Sequence, residues 1–293
     1  MKLLKNQWKR NLILVIVAML MMGLAAGCGT TPSKSSEKKT VNIGYVNWVE
    51  DVAVSNVWKV LLEEKGYVVN LKSLEVAPLF VGLNKGNLDV FMDCWLPNTH
   101  KAYWDKYKDN LDDYGIWYTS EAKMGLVVPK YVNINSVEDL KANKQLFDGK
   151  ITGIDPGAGI MKMTAELVKN YDLDYEVIQS SEAAMLTALD KAYRDKQAIV
   201  VTAWSPHWMF AKYDLKYLED PKKSYGEAEG IHTLANKEFT KKNPEIAKML
   251  KSFKLDDQQI GSLESLINGG MTPEDAAKEW IKDNRALVDG WMK

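Results

Sequence analysis

The sequence predicts an α/β protein built of two similar lobes, and three observations carry this prediction. Strand and helix patterns alternate over residues 41–94, which favours a parallel sheet with right-handed crossovers. A strand that runs into a tryptophan and then a proline occurs twice, at Trp95 and at Trp204. The folded part of the chain has about 250 residues, which is enough for two compact lobes.

Residues 1–27 predict a secretory signal peptide, because they hold basic residues near the start, no acidic residue and an apolar run from Leu12 to Ala26. The small residues before Cys28 resemble the lipobox of bacterial lipoproteins, in which Cys28 would carry lipid. The usual leucine three places before the cysteine is Ala25 here, so a plain signal peptide with an unmodified Cys28 is the alternative. Residues 28–40 are small, polar and charged and predict a flexible tether.

Charge and cysteine content exclude several classes of protein. Residues 1–27 carry four positive charges, so their removal changes the formal net charge from −1 to about −5. A mildly acidic chain lacks the basic stripe that nucleic-acid binding requires. With two cysteines, Cys28 and Cys94, no disulfide framework is expected. The sequence has neither Cys/His metal spacing nor a phosphate-binding loop, so we expect no metal and no cofactor.

The element pattern predicts where each lobe begins and ends. In the first half, strands are predicted at 41–46, 67–74 and 88–94, with helices at 52–65, 78–85 and from His100 to about Tyr107. In the second half, strands are predicted at 123–129, 150–155, 174–178 and 198–201, with helices at 161–170 and 181–193. The chain is then expected to cross back at about 231–235 and to form helices at 243–251, 256–266 and 272–284. We therefore expect lobe 1 to comprise 41–125 plus 230–293 and lobe 2 to comprise 126–229, with two hinge crossovers.

Three tryptophans stand at strand ends, which is where ligands bind in open α/β sheets. Trp48 and Trp95 belong to the first lobe and Trp204 to the second. Indole faces attract cations, and a quaternary ammonium group has no N–H to donate, so contact with ring faces is its natural mode of recognition. These residues predict a cage for a small organic cation. The alternative is that each tryptophan only packs its own lobe.

The opposite end of such a ligand would be an anion. The glycine-rich turn before residue 161 opens a helix, where unpaired N–H groups of Gly159 and Ile160 can hold an anion. His100, five residues beyond Trp95, is a candidate donor for the same group. The alternatives are a helix start without ligand and a histidine that caps its helix or lies at the surface. Together with the cage, these residues favour a zwitterion.

Residues 41–293 resemble the glycine betaine-binding lipoproteins that serve as substrate-binding subunits of osmoprotectant ABC importers. The resemblance lies in the stretches GYVNW at 44–48, WLPNTHKAY at 95–103, KMGLVVP at 123–129, GIDPGAGIM at 153–161 and WSPHWM at 204–209. It implies a type II periplasmic-binding-protein fold and a prism of Trp48, Trp95 and Trp204 around the trimethylammonium group. It also implies that His100 and the backbone of Gly159 and Ile160 hold the carboxylate. Trp208, Glu50 and Asp51 are candidates for contacts at the rim, where related betaines differ.

The resemblance further implies an ABC permease and its ATPase as partners, and a lipid-anchored position at the extracytoplasmic face of the bacterial cell membrane. Two other classes stay open at this point. A chemosensory or adhesion lipoprotein could have the same fold. A choline-ester hydrolase would also need a cation cage, but the sequence has no Gly-x-Ser-x-Gly elbow and no His-Glu-x-x-His helix. We therefore expect a binding protein and not an enzyme.

Overall fold

Two five-stranded sheets organise residues 39–293, the range that the computed structural model describes. The predicted signal peptide, Cys28 and all but the end of the predicted tether lie outside the described residues. Within the described range, no helix has the length and apolar character needed to cross a bilayer.

The elements follow from residue 40 to residue 291. The strands are β1 Thr40–Tyr45, β2 Val68–Ser73, β3 Val90–Leu96, β4 Leu111–Ile116, β5 Lys123–Pro129, β6 Lys150–Thr152, β7 Glu176–Ile178, β8 Val201–Ser205, β9 Leu215–Tyr217 and β10 Gly230–Asn236. The helices are α1 Val49–Glu64, α2 Val76–Asn84, α3 Lys101–Tyr107, α4 Asp139–Ala142, α5 Gly159–Asn170, α6 Glu182–Arg194, α7 Met209–Lys212, α8 Lys237–Lys242, α9 Pro244–Ser252, α10 Asp257–Asn268, α11 Pro273–Asp283 and α12 Arg285–Trp291. Short 3-10 turns span Lys108–Asn110 and Lys144–Phe147.

Both sheets have the same topology. The strand order is β2-β1-β3-β10-β4 in sheet 1 and β7-β6-β8-β5-β9 in sheet 2. In sheet 1, β1 runs parallel to β2 and β3, and β10 runs antiparallel to β3 and β4. In sheet 2, β6 runs parallel to β7 and β8, and β5 runs antiparallel to β8 and β9. Each sheet therefore places one long apolar strand, β3 or β8, at its centre.

The chain passes between the sheets twice. It leaves sheet 1 after β4 to enter sheet 2 at β5, and it returns from β9 to β10. The two connecting segments pair with each other, because the Glu229 N–H donates to the Ala122 carbonyl at 3.0 Å. The predicted lobe limit between residues 125 and 126 falls inside β5, which lies in sheet 2 over its whole length. The predicted return at residue 230 is the first residue of β10. The lobe limits themselves stay a prediction.

A cluster of aromatic side chains fixes the C-terminal helices against α1. Trp117 and Phe253 stack with ring centroids 5.3 Å apart, and Trp58 meets Phe253 edge-on at 5.5 Å. Trp280 and Trp291 stack beside them at 6.3 Å. All five side chains are buried, so Trp58 lies in the core. Four of the ten tryptophans of the chain therefore have a packing role and are not candidate cage residues.

Two predicted boundaries were wrong in a way that affects the site. Helix α1 begins at Val49 and not at residue 52, since Trp48 is its extended N-cap residue and Glu50 and Asp51 form an acidic first turn. Strand β8 spans Val201–Ser205 and not 198–201, so Trp204 lies inside the strand.

Candidate functional site

The two central strands carry tryptophans at equivalent places. Trp95 is the penultimate residue of β3, and Trp204 is the penultimate residue of β8. A proline follows two residues later in each case, and the peptide bonds Leu96–Pro97 and Ser205–Pro206 are both cis. The repeated strand, tryptophan and proline pattern of the sequence is therefore one local structure used once in each sheet.

The neighbouring strands bring two helix N-termini to the same region. Trp48 follows β1 and is the N-cap residue of α1. In sheet 2, the chain runs from β6 through a turn to α5, whose first two residues are Gly159 and Ile160. β1 and β6 occupy matching places in the two sheets, and Trp48, Gly159 and Ile160 border the same cavity.

All six predicted site residues line one small cavity. Residues of both sheets and their loops form its wall: Trp48, Glu50, Trp95, Thr99, His100, Met124, Ile154, Ala158, Gly159, Ile160 and Trp204.

The three indoles are buried, and two of them are held by a hydrogen bond from the indole N–H. The ring centroids of Trp48 and Trp204 lie 6.5 Å apart with the planes tilted by 58°. The Trp48 Nε1–H donates to Asp155 Oδ2 at 3.3 Å, which links sheet 1 to sheet 2. The Trp95 Nε1–H donates to Asp93 Oδ1 at 2.8 Å. Carboxyl groups thus orient two of the three rings, while Trp204 Nε1 makes no hydrogen bond of ordinary geometry within the described residues.

His100 presents a hydrogen-bond donor to the cavity. Its Nδ1 accepts the backbone N–H of Trp95 at 3.0 Å, so the proton of the neutral ring is on Nε2. Nε2 is buried and has no partner in the described range. Burial lowers the pKa of His100 to about 3. The ring is therefore a neutral donor at ordinary pH, and it stacks on Trp48 with the planes 6° from parallel.

The N–H groups of Gly159 and Ile160 are the first two donors of α5, and no backbone acceptor within residues 39–293 takes them. Such donors at a helix N-terminus bind anions. A Cβ atom on Gly159 would lie 2.4 Å from Thr99 Cγ2 and 2.6 Å from the Thr99 carbonyl oxygen. The turn after β3 thus touches the start of α5 where only glycine fits.

Buried acids surround the cavity. Burial is the main cause that raises the pKa of Glu50 and of Glu182 to about 8, and it raises the pKa of Asp51, Asp93 and Glu264 well above the usual value. No lysine or arginine is among the buried polar residues of the described range. The interior next to the cavity is therefore suited to a positive group and unfavourable for a free anion.

A second link between the sheets lies behind the cavity. Glu182 Oε2, at the start of α6, accepts the Val49 N–H at the start of α1 at 3.0 Å. His207 Nε2 lies 3.2 Å from Glu182 Oε1, and its Nδ1 accepts the Met209 N–H at 3.0 Å. Burial lowers the pKa of His207 to about 4, so the neutral ring donates to Glu182. His207 supports the site without lining the cavity.

Sequence reasoning missed part of the wall. Thr99, Met124 and Glu50 line the cavity, although Glu50 was expected only at the rim. Trp208 packs beside His207 and does not line the cavity, while Asp51 is fully buried and accepts the Val46 N–H at 2.7 Å. An acid in the first turn of a helix is common at the surface. No sequence signal therefore distinguishes Glu50 from Asp51. Within residues 39–293, no group of His, Cys, Asp and Glu is arranged to hold a metal ion.

The family model described as the substrate binding domain of ABC-type glycine betaine transport systems matches residues 39–283. The glycine betaine/carnitine transport binding protein GbuC of Listeria monocytogenes is 46% identical over 144 residues, which span 48% of this chain and 48%, about half, of that protein.

Two solved structures share the fold. Lactococcal OpuAC, in its closed-liganded conformation complexed with glycine betaine, is 42% identical with a TM-score of 0.82, and the match covers 87% of this chain and 100% of that one. A choline binding protein of an ABC transporter, in complex with choline, is 29% identical with a TM-score of 0.80 and coverages of 86% and 91%. The chain thus has the two-lobed fold of periplasmic binding proteins.

Both buried histidines should stay neutral in mildly acidic solution. At about pH 5 an ordinary imidazole is mostly protonated, whereas His100 and His207 have a pKa of about 3 and about 4. Long-range ¹H–¹⁵N spectra, assigned with His100→Gln and His207→Gln, should show two neutral rings with the proton on Nε2. A titration of either ring with a midpoint near its ordinary value, or a proton on Nδ1 of His100, would contradict this assignment.

Proposed function

The chain belongs to the family of substrate-binding domains of ABC-type glycine betaine transport systems, and from this premise we propose that it captures glycine betaine or a close relative. In this proposal the ligand lies in the cavity between the sheets. The indoles of Trp48, Trp95 and Trp204 enclose its trimethylammonium group. One observation supports the proposal most strongly, namely that three indoles, a neutral imidazole donor and a free helix N-terminus line a single cavity.

The indole cage accounts for part of the binding free energy. A cation over a desolvated aromatic face gains about 0.5–2 kcal/mol, so three rings would contribute about 1.5–6 kcal/mol. A micromolar complex requires about 8 kcal/mol. The cage alone is therefore insufficient, and the ligand needs a second polar end.

The carboxylate would supply the remainder at the His100 side. Its oxygens in this proposal receive the His100 Nε2–H and the N–H groups of Gly159 and Ile160. A hydrogen bond to a charged group contributes about 1.5–3 kcal/mol. The three donors have no other partner in the described range. Binding would therefore give an acceptor to N–H groups that are otherwise left unpaired.

The proposal extends to the cellular role. An exported protein with lipid on Cys28 would stay at the extracytoplasmic face of the membrane, where it would deliver its ligand to an ABC permease driven by an ATPase.

The proposal also assigns the lobes. They would comprise about residues 41–122 plus 230–293 and 123–229, since β5 pairs with sheet 2. Ligand would then close the lobes about the paired segments at Ala122 and Glu229. No step of this role requires catalysis.

Trp95→Ala should weaken glycine betaine binding by at least about tenfold, because it removes one cage wall. The dissociation constant can be measured by titration calorimetry on the full-length chain in a maltoside detergent. The half-buried Trp104, which does not line the cavity, provides the control Trp104→Ala, which should change the dissociation constant less than about twofold.

A ligand without the cation tests the cage independently. 3,3-Dimethylbutanoate, which carries a neutral tert-butyl group in place of trimethylammonium, should bind at least about tenfold more weakly than glycine betaine. Equal binding of the two ligands would argue against a cation cage.

His100→Ala should weaken zwitterions more than choline, because choline has no carboxylate to receive the Nε2–H. The substitution also leaves the Trp95 N–H without its acceptor. A loss of affinity for one ligand alone would therefore not distinguish a lost contact with the ligand from a disturbed Trp95. The ratio of the glycine betaine and choline dissociation constants cancels this structural effect and should change by about tenfold. An unchanged ratio would remove His100 from the carboxylate site.

Gly159→Ala should prevent full closure, since its Cβ would lie 2.4 Å from Thr99 Cγ2. We expect glycine betaine affinity to fall by more than about tenfold with little change in thermal stability. Gly157→Ala is the matched control in the same turn, because its nearest neighbour, Val76 Cγ1, lies at an ordinary contact distance of 3.7 Å. Calorimetry and thermal unfolding of both variants make the comparison. Wild-type affinity in Gly159→Ala would contradict the closed geometry of the site.

A further inference from the structure

Glu50 is the acidic side chain of the cavity wall, although the sequence predicted it only at the rim. It is the second residue of α1, it is 1% exposed, and it lines the cavity together with the three indoles. Its Oε2 is buried and has no hydrogen-bond partner within the described residues. An ionised carboxylate in this position is strongly unfavourable unless a positive charge lies nearby.

The groups that face Glu50 come from every element packed around it. They are Asp51 of α1, Asp93 of β3, Glu182 at the start of α6, Trp204 of β8, His207 in the turn after β8, and Glu264 of α10. Four of the six are carboxyl groups. The neutral His207 and the nearby indole N–H of Trp204 give only partial compensation. Burial first, and the charge of Glu182 second, raise the pKa of Glu50 to about 8.

The other acids differ from Glu50 in their contacts. Glu182 accepts N–H groups from Val49 and His207. Asp93 accepts the Trp95 indole N–H through Oδ1; its Oδ2 has no partner in the described range, but Asp93 does not line the cavity. Glu264 is fully buried and has no partner in the described range, but it does not line the cavity. Glu50 therefore combines a free carboxyl oxygen with direct access to a ligand in the cage.

We infer that Glu50 is the counter-charge of the quaternary ammonium group, and that binding of this cation displaces the proton of its carboxyl group. The inference rests on the proposed ligand class. In this step the O–H bond of the carboxyl breaks, both electrons stay on the oxygen, and the proton passes to a buffer base in solution. A trimethylammonium group has no N–H to share with Glu50, so the attraction is Coulombic and requires the charged carboxylate.

The sign of the pH dependence follows from this step. Below about pH 8 the free protein holds the proton on Glu50, and the ligand must displace it. Affinity should therefore rise as pH increases from 6 to 8 and then level off. His100 cannot be the source of the proton, because its pKa of about 3 keeps it neutral over this range.

Titration calorimetry at pH 7 in two buffers of different ionisation enthalpy, phosphate and imidazole, measures the number of protons released. For the wild-type full-length chain in maltoside, we expect glycine betaine and choline each to release about 0.5–1 proton. Glu50→Gln keeps the shape of the side chain without its titration, and it should release none. At pH 8 it should bind choline about tenfold more weakly than the wild type. The effect on glycine betaine should be smaller, because the ligand's own carboxylate already offsets part of the cation's field.

Two controls determine whether the released proton comes from Glu50 and whether the cation displaces it. Glu264→Gln changes a buried acid of the same cluster that does not line the cavity, so its proton release should equal that of the wild type. 3,3-Dimethylbutanoate has no cation and should bind to the wild type without release, which tests the inference even if Glu50→Gln is unstable. Release that persists in Glu50→Gln, or release on binding of 3,3-dimethylbutanoate, overturns the role of Glu50. Binding of glycine betaine and choline to the wild type without proton release overturns the role of Glu50 and leaves the proposed function intact. Absence of binding overturns the role of Glu50 and the proposed function together.

Discussion

A buried polar atom without a partner costs about 1–3 kcal/mol, and this chain keeps several of them around one cavity. His100 Nε2, Trp204 Nε1 and Glu50 Oε2 all border it, and each is unpartnered within the described residues. The N–H groups at the start of α5 add two more donors. Side chains that pack freely would rotate to satisfy such atoms. The His100 ring stays in place because its Nδ1 accepts the Trp95 N–H.

The matching sheets provide this fixation. Each central strand has a tryptophan as its penultimate residue, and β1 and β6 each lead into a helix N-terminus, so four strand ends converge on one cavity. The two halves are not used alike. Sheet 1 contributes Trp48, Trp95 and His100, whereas sheet 2 contributes Trp204 and the free N–H groups of α5. Carboxyl groups then join the halves: Glu182 accepts the Val49 N–H and Asp155 accepts the Trp48 indole N–H. One topology thus brings indole rings and unpaired N–H donors to the same cavity.

The six candidate site residues chosen from the sequence line one cavity, whereas several element boundaries were misplaced. Trp48, Trp95 and Trp204 could be selected from ten tryptophans because strand ends, and not tryptophan content, mark the crevice. Strand β8 was predicted at 198–201 because this run is apolar and the polar Thr202 interrupts it. Thr202 is buried inside the strand, which the polarity of its side chain does not indicate. Strand β4, with the sequence LDDYGI, and the short helix α12 lack any periodic signal. Glu50 could not be recognised, since its burial depends on α6 packing against the start of α1 from the other sheet.

The connection between hinge and site depends on Glu229. This residue directly precedes β10, and its backbone pairs with Ala122 in the other crossover. Its Oε1 accepts the N–H groups of Asn98 at 2.5 Å and Thr99 at 3.0 Å, and its Oε2 accepts the Thr99 hydroxyl. The turn that contacts Gly159 is therefore held by a crossover segment and not only by sheet 1. Because this turn lies against a glycine without a side chain, the contact between Thr99 and Gly159 limits how near the loops of the two sheets can lie. The width of the cavity therefore depends on the crossover segment that holds the turn as well as on the residues of the cavity wall.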